Sequence, residues 1–393
     1  MSQKSRFKSG RHFLQIPGPS NTPDRVLRAM AKPTMDHRGP EFAQLTLGIL
    51  DRLKAVFQTS GPVLMFPASG TGSWEAALVN TVSPGDRVLA FETGQFATAW
   101  HSVAKKLGIE VEWVEGDWRH GVDPSVVEAK LTEDKGKSIK AVLVVHNETS
   151  TGITSRVADV RNAMDRVGHP ALFMVDAISS LGSIDYNHDD WGVDVTICAS
   201  QKGLMLPPGI GMNAVSQKAI TVSQSSGFAK SYWDWGPVIQ MNEKGFFPYT
   251  PPTNLLYGMD VALDMLLDEG LANVFARHHR LAEATRAAVK AWGLELCGVD
   301  PAEYSDTLTA VLMPEGHDAD ELRRLILDRF DMSLGTGLGK VKGKLFRIGH
   351  LGDLNDLTLA GTLCGVEMGL GLAGIPHVRG GVNAALESLA LNS

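Results

Sequence analysis

Three short stretches of the sequence hold residues whose type and setting could do chemistry. Ser69-Gly70-Thr71-Gly72-Ser73 leads straight into a helical pattern at Trp74-Glu75-Ala76-Ala77-Leu78. Glycines admit a ligand close to the backbone, and the N–H groups at a helix start attract an anion, phosphate being the natural one. An ordinary Ser or Thr cap flanked by glycine reads the same way, and the GxxxxGKS/T pattern of a nucleoside-triphosphate loop is absent. Asp176 ends an all-apolar run, where a carboxylate is costly unless a cation or a hydrogen-bond donor meets it. Lys202, in Ser200-Gln201-Lys202-Gly203, follows another apolar run. A lysine in a pocket at such a place loses its proton more readily and can form an imine. Each has a plainer reading alone: a helix cap for Asp176, a solvated loop lysine for Lys202. Together they supply a phosphate anchor, a partner for a protonated ring nitrogen and an imine-forming amine, which is what pyridoxal 5′-phosphate requires.

Positioning these residues falls to an alternation of short apolar runs and helical patterns. The runs are Val63–Phe66, Val88–Phe91, Ala141–Val145, Ala171–Val175 and Val195–Cys198. They are bulky or β-branched and lack polar alternation, as strands buried on both faces do. Helical patterns fall at Trp74–Thr81, Ala97–Leu107 and Val157–Val167. The alternation predicts an α/β fold with a mostly parallel central sheet and helices on both faces. In such a sheet the loops that follow the strands share the carboxyl edge, where ligands bind. From about Pro251 the pattern changes to one long helical segment through 254–270 and on through 273–293. Strand-like pieces at 307–314 and 344–352 then flank a helix over Asp318–Phe330, with Asp318 as its N-cap. This predicts a smaller C-terminal α+β domain. The expected division is an N-terminal segment 1–22, a large cofactor-binding domain 23–255, a connecting helix 256–280 and a small domain 281–393.

A chain of 393 residues has room for two domains, or three at most. Apolar residues at 44% and charged residues at 21% exclude a disordered, collagen-like or coiled-coil chain. Lys and Arg number 37 against 44 Asp and Glu, a net charge of −7, which argues against nucleic acid as a partner. Cys198, Cys297 and Cys364 are too few and too scattered for a disulfide framework or a metal site. No apolar run approaches the ~20 residues of a membrane span. The basic start, MSQKSRFKSGRH, lacks the apolar stretch of a secretory signal, and the final LNS is not a peroxisomal address. The expectation is a cytoplasmic protein with no membrane partner.

Further motifs extend the pattern: Pro17-Gly-Pro-Ser-Asn, His37-Arg-Gly-Pro-Glu-Phe, Gly94-Gln-Phe, His146-Asn-Glu-Thr-Ser-Thr-Gly, Val175-Asp-Ala-Ile-Ser-Ser, Tyr249-Thr-Pro-Pro and Phe346-Arg-Ile-Gly-His-Leu-Gly. With the loops above they span residues 17 to about 352. In this set the chain resembles the class V aminotransferases of the fold-type I pyridoxal-phosphate superfamily, and among them the serine–glyoxylate and alanine–glyoxylate aminotransferases. The resemblance implies that Lys202 binds the cofactor as an imine and that Asp176 pairs with its ring nitrogen. It implies that Ser69, Gly70 and Thr71 hold the phosphate with help from Gln201, and that Thr149 bonds the ring's phenolic oxygen. Phe96 would stack on the ring in place of the tryptophan of relatives. Thr250 would reach the phosphate of a neighbouring subunit, with Tyr249 beside it, so that the site lies at a homodimer interface. Phe247 stands where relatives have a phosphate-binding tyrosine. Arg347 would clamp the substrate α-carboxylate through both arms of its fork. Arg38 would either reach the distal end of the substrate or tie down the N-terminal segment. The implied activity is transfer of an amino group to glyoxylate, giving glycine, with L-serine as donor and L-alanine or L-aspartate as alternatives. The partners are thus small amino acids and 2-oxo acids.

Other readings fit less well. Gly335-Thr-Gly-Leu-Gly is followed by a strand pattern, so it lacks the setting of a dinucleotide loop. A lyase of the same fold is the alternative of another class; a cysteine desulfurase would need a cysteine on a site loop, whereas Cys198 falls in a strand and Cys297 and Cys364 in the small domain. A non-catalytic binding protein is opposed by the complete set of Asp176, Lys202 and Arg347. His278 and His279, adjacent on one helix, do not share a face, and are expected, with no metal, at the surface. The Asn147-Glu148-Thr149 sequon lies in the proposed pocket and is not expected to carry sugar.

Overall fold

The apolar runs form strands because residues that bury both faces of a sheet have no polar side to offer solvent. The computed structural model describes residues 10–391; most of the basic N-terminal run (residues 1–9) and the last two residues lie outside this range. In chain order the strands are β1 (Phe13–Gln15), β2 (Val63–Phe66), β3 (Arg87–Phe91), β4 (Glu110–Val114), β5 (Ile139–Val145), β6 (Asn147–Glu148), β7 (Ile153–Thr154), β8 (Leu172–Asp176), β9 (Val195–Ala199), β10 (Gly211–Val215), β11 (Leu308–Leu312), β12 (Met332–Thr336) and β13 (Leu345–Gly349). A seven-stranded sheet has the order β2-β10-β9-β8-β5-β3-β4. Its neighbours pair in parallel except β10, which is antiparallel to both β2 and β9. The carboxyl ends of β2, β3, β5, β8 and β9 therefore meet at one edge, as the sequence predicts.

The core alternates across this sheet. Val142, Val144, Phe173 and Val175 join the apolar cluster on one face. Ala141, Leu143, Val145, Leu172 and Met174 join the cluster on the other. Each fully buried Val, Leu or Phe side chain contributes roughly 1.5–3 kcal/mol, so a polar substitution in these runs is penalised on either face. Helices Gly70–Thr81, Gln95–Lys106 and Val157–Val167 connect the parallel strands. Strand β4 escapes an apolar-run search because it alternates, EVEWV, at the sheet edge. Strand β10 escapes because it carries a buried polar residue, Asn213, whose amide donates to the Ser73 carbonyl at 3.1 Å.

The long helical segment is two helices, Thr253–Glu269 and Leu271–Ala291, broken at Gly270 with φ +83°. That left-handed backbone suits glycine and ends a helix. A four-stranded sheet, β1-β12-β13-β11, packs on a third core built from Leu281, Val311, Leu322, Phe346 and Leu359, with Phe13 beside it. The N-terminal segment thus enters the smaller sheet, pairing Phe13–Gln15 with Met332–Leu334. Asp318 caps helix Ala319–Phe330 as expected, accepting the Asp320 N–H at 2.7 Å.

His278 corrects the sequence reading. It is fully buried: Nδ1 donates to the Val274 carbonyl at 2.7 Å and Nε2 accepts the Gly352 N–H at 3.0 Å. Its helix packs on the third core through Leu281, Ala284 and Ala288, and Val274, one turn before His278, lies in the core beneath the large sheet, so the face with His278 is inside. Burial pushes the imidazole down to about 3, and it is neutral. His279, one position on, is exposed and pairs with Asp306 at 3.1 Å. Among the described residues no helix is long and apolar enough to cross a membrane, and no cluster of three or more His, Cys, Asp or Glu side chains is arranged to hold a metal.

Candidate active site

Asp176 closes β8 at the carboxyl edge and is buried. One carboxylate oxygen accepts the Ile178 N–H at 2.8 Å and the other the Trp74 indole N–H at 2.8 Å. Burial raises its pKa to about 7 against the pull of these two bonds. Among the described residues no Lys or Arg makes an ion pair with it, and a protonated ring nitrogen would restore its charge. Trp74 was not singled out as a site residue in the sequence; it lies one helical turn beyond Gly70 and stacks on Trp100 with ring centroids 6.1 Å apart. Its place in the loop motif was the available signal.

Lys202 follows β9 and is buried, and its Nζ donates to the Pro17 carbonyl at 2.5 Å. Gly18, with φ +115°, leaves the room: a Cβ there would collide with the Lys202 side chain. The N-terminal segment is held over the lysine by Ser20, whose hydroxyl donates to the Lys202 carbonyl at 2.8 Å. Burial, and then the charge of Arg347, lower the amine to about 7. At neutral pH an uncharged amine, the nucleophilic form, is well populated.

The loop after β2 runs through exposed Ser69 into helix Gly70–Thr81. The first N–H groups of a helix have no acceptor within it, and a Cβ at Gly70 would strike the Ile178 side chain. Beside Lys202, the Gln201 side-chain oxygen is buried without a partner among the described residues. Phe96, half-buried, stands in the first turn of helix Gln95–Lys106 after β3. Thr149 is buried; its hydroxyl donates to Ser179 Oγ at 2.8 Å. Ser179, also unforeseen, in turn donates to the Asn147 carbonyl at 2.8 Å and accepts from the Asn147 amide at 2.9 Å. Asn147 is thereby buried and engaged, as expected of a sequon without sugar.

Arg347 comes from the other sheet. It lies in mid-strand on β13, buried, with Nε donating to the Thr336 carbonyl at 2.8 Å and Nη1 to the Thr149 carbonyl at 2.6 Å. Its Nη2 has no acceptor among the described residues, so the Nη1–Nη2 edge is the one that can take a carboxylate. Burial lowers its pKa only to about 10, with the Glu148 carboxylate opposing, so it stays charged. Arg347 pairs across the sheet with Gly335, and a Cβ on Gly335 would meet Pro17 Cδ at 2.7 Å. Pro17 therefore sits between the two buried cations.

Other candidates stand apart. Tyr249, expected among the cofactor contacts, donates its hydroxyl hydrogen to the Met65 carbonyl at 2.9 Å and stacks on Tyr232 at 4.8 Å. It buttresses β2 and the start of the loop, where the chain returns after β10. Phe247 is buried against Phe42, with ring centroids 6.2 Å apart. Thr250 and Arg38 are exposed, and the Arg38 backbone N–H bonds the Asp36 carboxylate at 3.0 Å.

A buried acid without an ion-pair partner, an amine shifted toward neutrality and a glycine-lined helix start fit pyridoxal phosphate. Fold and site together define an aminotransferase of the pyridoxal-phosphate-dependent kind. The class V aminotransferase family matches residues 12–339, and the chain belongs to that family. It is 48% identical over 392 residues to the serine–glyoxylate aminotransferase of Methylorubrum extorquens, covering 98% of each chain. It is 45% identical to the L-aspartate–glyoxylate aminotransferase of Paracoccus denitrificans, covering 95% of this chain and 94% of that one. The crystal structure of pyridoxamine–pyruvate aminotransferase from Mesorhizobium loti superposes with a TM-score of 0.91 at 27% identity, covering 97% of each chain.

Proposed function

We propose that this protein transfers the amino group of L-serine to glyoxylate, giving hydroxypyruvate and glycine. The observation that carries the reading is the pair of buried cations on either side of Pro17, an amine near neutrality and a charged guanidinium. The guanidinium suits the one α-carboxylate of serine. The serine–glyoxylate relative at 48% identity supports the same donor. L-Aspartate, named for the relative at 45% identity, is the second reading, with exposed Arg38 or a residue of a neighbouring subunit as its clamp. L-Alanine is a third.

Bound pyridoxal phosphate supplies an electron sink for the carbanion formed at the donor Cα. Lys202 Nζ would hold the cofactor and, as an uncharged amine, would take the donor's Cα proton and return it. Asp176, fixed by Trp74 and Ile178, keeps the ring nitrogen protonated by charge. Gly70 and Thr71 offer N–H groups to the phosphate, with Ser69 and Gln201 beside them. Phe96 would cover the ring, and the Thr149 hydroxyl, on leaving Ser179, would donate to the phenolic oxygen. The Nη1–Nη2 edge of Arg347 orients the substrate carboxylate. Exposed Thr250 serves the phosphate of a partner subunit, so the working form is a homodimer. The separate cores support a large unit and a small one, with residues 10–22 serving the smaller sheet; residues 256–274 of the proposed connecting helix pack in the large-unit core. Three free cysteines are in keeping with the cytoplasm.

The test mixes purified holoenzyme with serine, alanine or aspartate, adds glyoxylate, and follows cofactor absorbance. Serine should bleach the imine band fastest and glyoxylate restore it. A faster response to aspartate would move the assignment to the second reading, and a band that no amino acid bleaches would overturn glyoxylate transamination.

A further inference from the structure

Glu148 is the buried acid that this mechanism leaves unused. It is 1% exposed. Its carboxylate accepts the N–H groups of Phe96 at 3.2 Å, Ala97 at 3.0 Å and Ser150 at 3.0 Å, and the Ser150 hydroxyl at 2.6 Å. Ser150 Oγ also accepts the Gln95 N–H at 2.9 Å. The first three N–H groups of helix Gln95–Lys106 are thus satisfied from the β6–β7 hairpin. That helix has glycine, Gly94, at its own N-cap, and a Cβ there would collide with the Glu148 side chain and Ser150 Oγ.

Five other helices are capped locally by a side chain, with Asp123, Ser216, Asp234, Asp318 and Asn355. A local cap does that work without sinking a carboxylate into the interior, which is expensive. The expense has a geometric return. Between Glu148 and Ser150 stands Thr149, whose carbonyl receives Arg347 and whose hydroxyl bonds Ser179. One tripeptide therefore touches the helix that carries Phe96, the loop that follows Asp176, and the arginine of the other sheet.

We infer that Glu148 is a positioning residue that locks Phe96 to Thr149 and Arg347, so that ring stacking and carboxylate binding keep one register. The inference rests on the reading above, in which Phe96 faces the cofactor ring. Replacing Glu148 by Gln keeps the volume but turns an amide donor toward backbone donors. In the holoenzyme, Glu148→Gln should cut the visible circular dichroism of the bound cofactor at least about twofold and raise KM for the amino donor roughly tenfold, with kcat changed less. Asp123→Ala, which removes the cap of helix Pro124–Glu133, should leave both unchanged. If Glu148→Gln does not fold, Ser150→Ala, which deletes only the bridging hydroxyl, should move both readouts the same way by a smaller factor. A folded variant with unaltered dichroism and KM overturns the role of Glu148. A wild-type protein with no visible band overturns the cofactor reading itself.

Discussion

Two regions each bury one cation, and they treat it differently. The carboxyl edge of the seven-stranded sheet buries Lys202 with one carbonyl, that of Pro17, as its acceptor. The smaller sheet buries Arg347 in mid-strand with two carbonyls, from Thr336 and Thr149, and with the Glu148 charge in its favour. Lysine begins lower and falls to about 7; arginine begins higher and falls only to about 10. One cation is thus ready to shed its proton and the other is held charged. A group that must react is left under-solvated, and a group that must bind is surrounded by acceptors.

The strongest way to break this contrast is Lys202→Ala, which should lower steady-state turnover by roughly ten-thousandfold and remove the imine absorbance. Turnover that survives would assign the proton transfer to another group. Arg347→Ala should lower kcat/KM by roughly a hundredfold or more, chiefly through KM, and Arg347→Lys should not restore it. An unchanged KM would take the arginine out of the site. Trp74→Phe removes the indole donor to Asp176 and should weaken retention of pyridoxal phosphate by roughly ten- to a hundredfold, read by titrating apoenzyme; equal affinity would show that the Ile178 bond suffices. The mildest test is pH. Because the folded pKa of Lys202 is lowered, the amine is mostly charged below about 7 and neutral above it. Covalent uptake of pyridoxal phosphate by the apoenzyme should therefore rise about tenfold per pH unit below 7 and level off above it. In the apoenzyme this group's contribution to stability increases as pH rises through the same value toward the ordinary lysine range. A rate that keeps climbing to pH 10 would mean the lysine is not shifted.

Much of the large sheet was legible because continuous apolar runs have one stable place, the interior of a parallel sheet. Val63–Phe66 is a strand over just those residues and the loop after β9 carries Lys202 as expected, while the helix expected from Trp74 begins already at Gly70. Strand β10 was not legible, since its buried Asn213 is tolerated through amide bonds to the Ser73 and Met212 carbonyls. His278 was misread because adjacent helix positions say nothing about which face is covered, and here the buried face is set by Val274, Leu281 and the Gly352 backbone. The bond from Tyr249 to Met65 was not legible, because its acceptor lies 184 residues away.

By itself the sequence determined the strand–helix alternation, the polar loops at the strand ends, and the identities of the acid, the amine and the guanidinium, because these follow from local periodicity and side-chain chemistry. Only the tertiary structure decided which groups are solvated by what: Trp74 on Asp176, Pro17 on Lys202, Thr149 on Arg347, and Glu148 under Phe96. Those pairings join segments from 52 to 198 residues apart. A proton's affinity depends on burial and on partners within a few ångströms, and neither is written in any local stretch of chain.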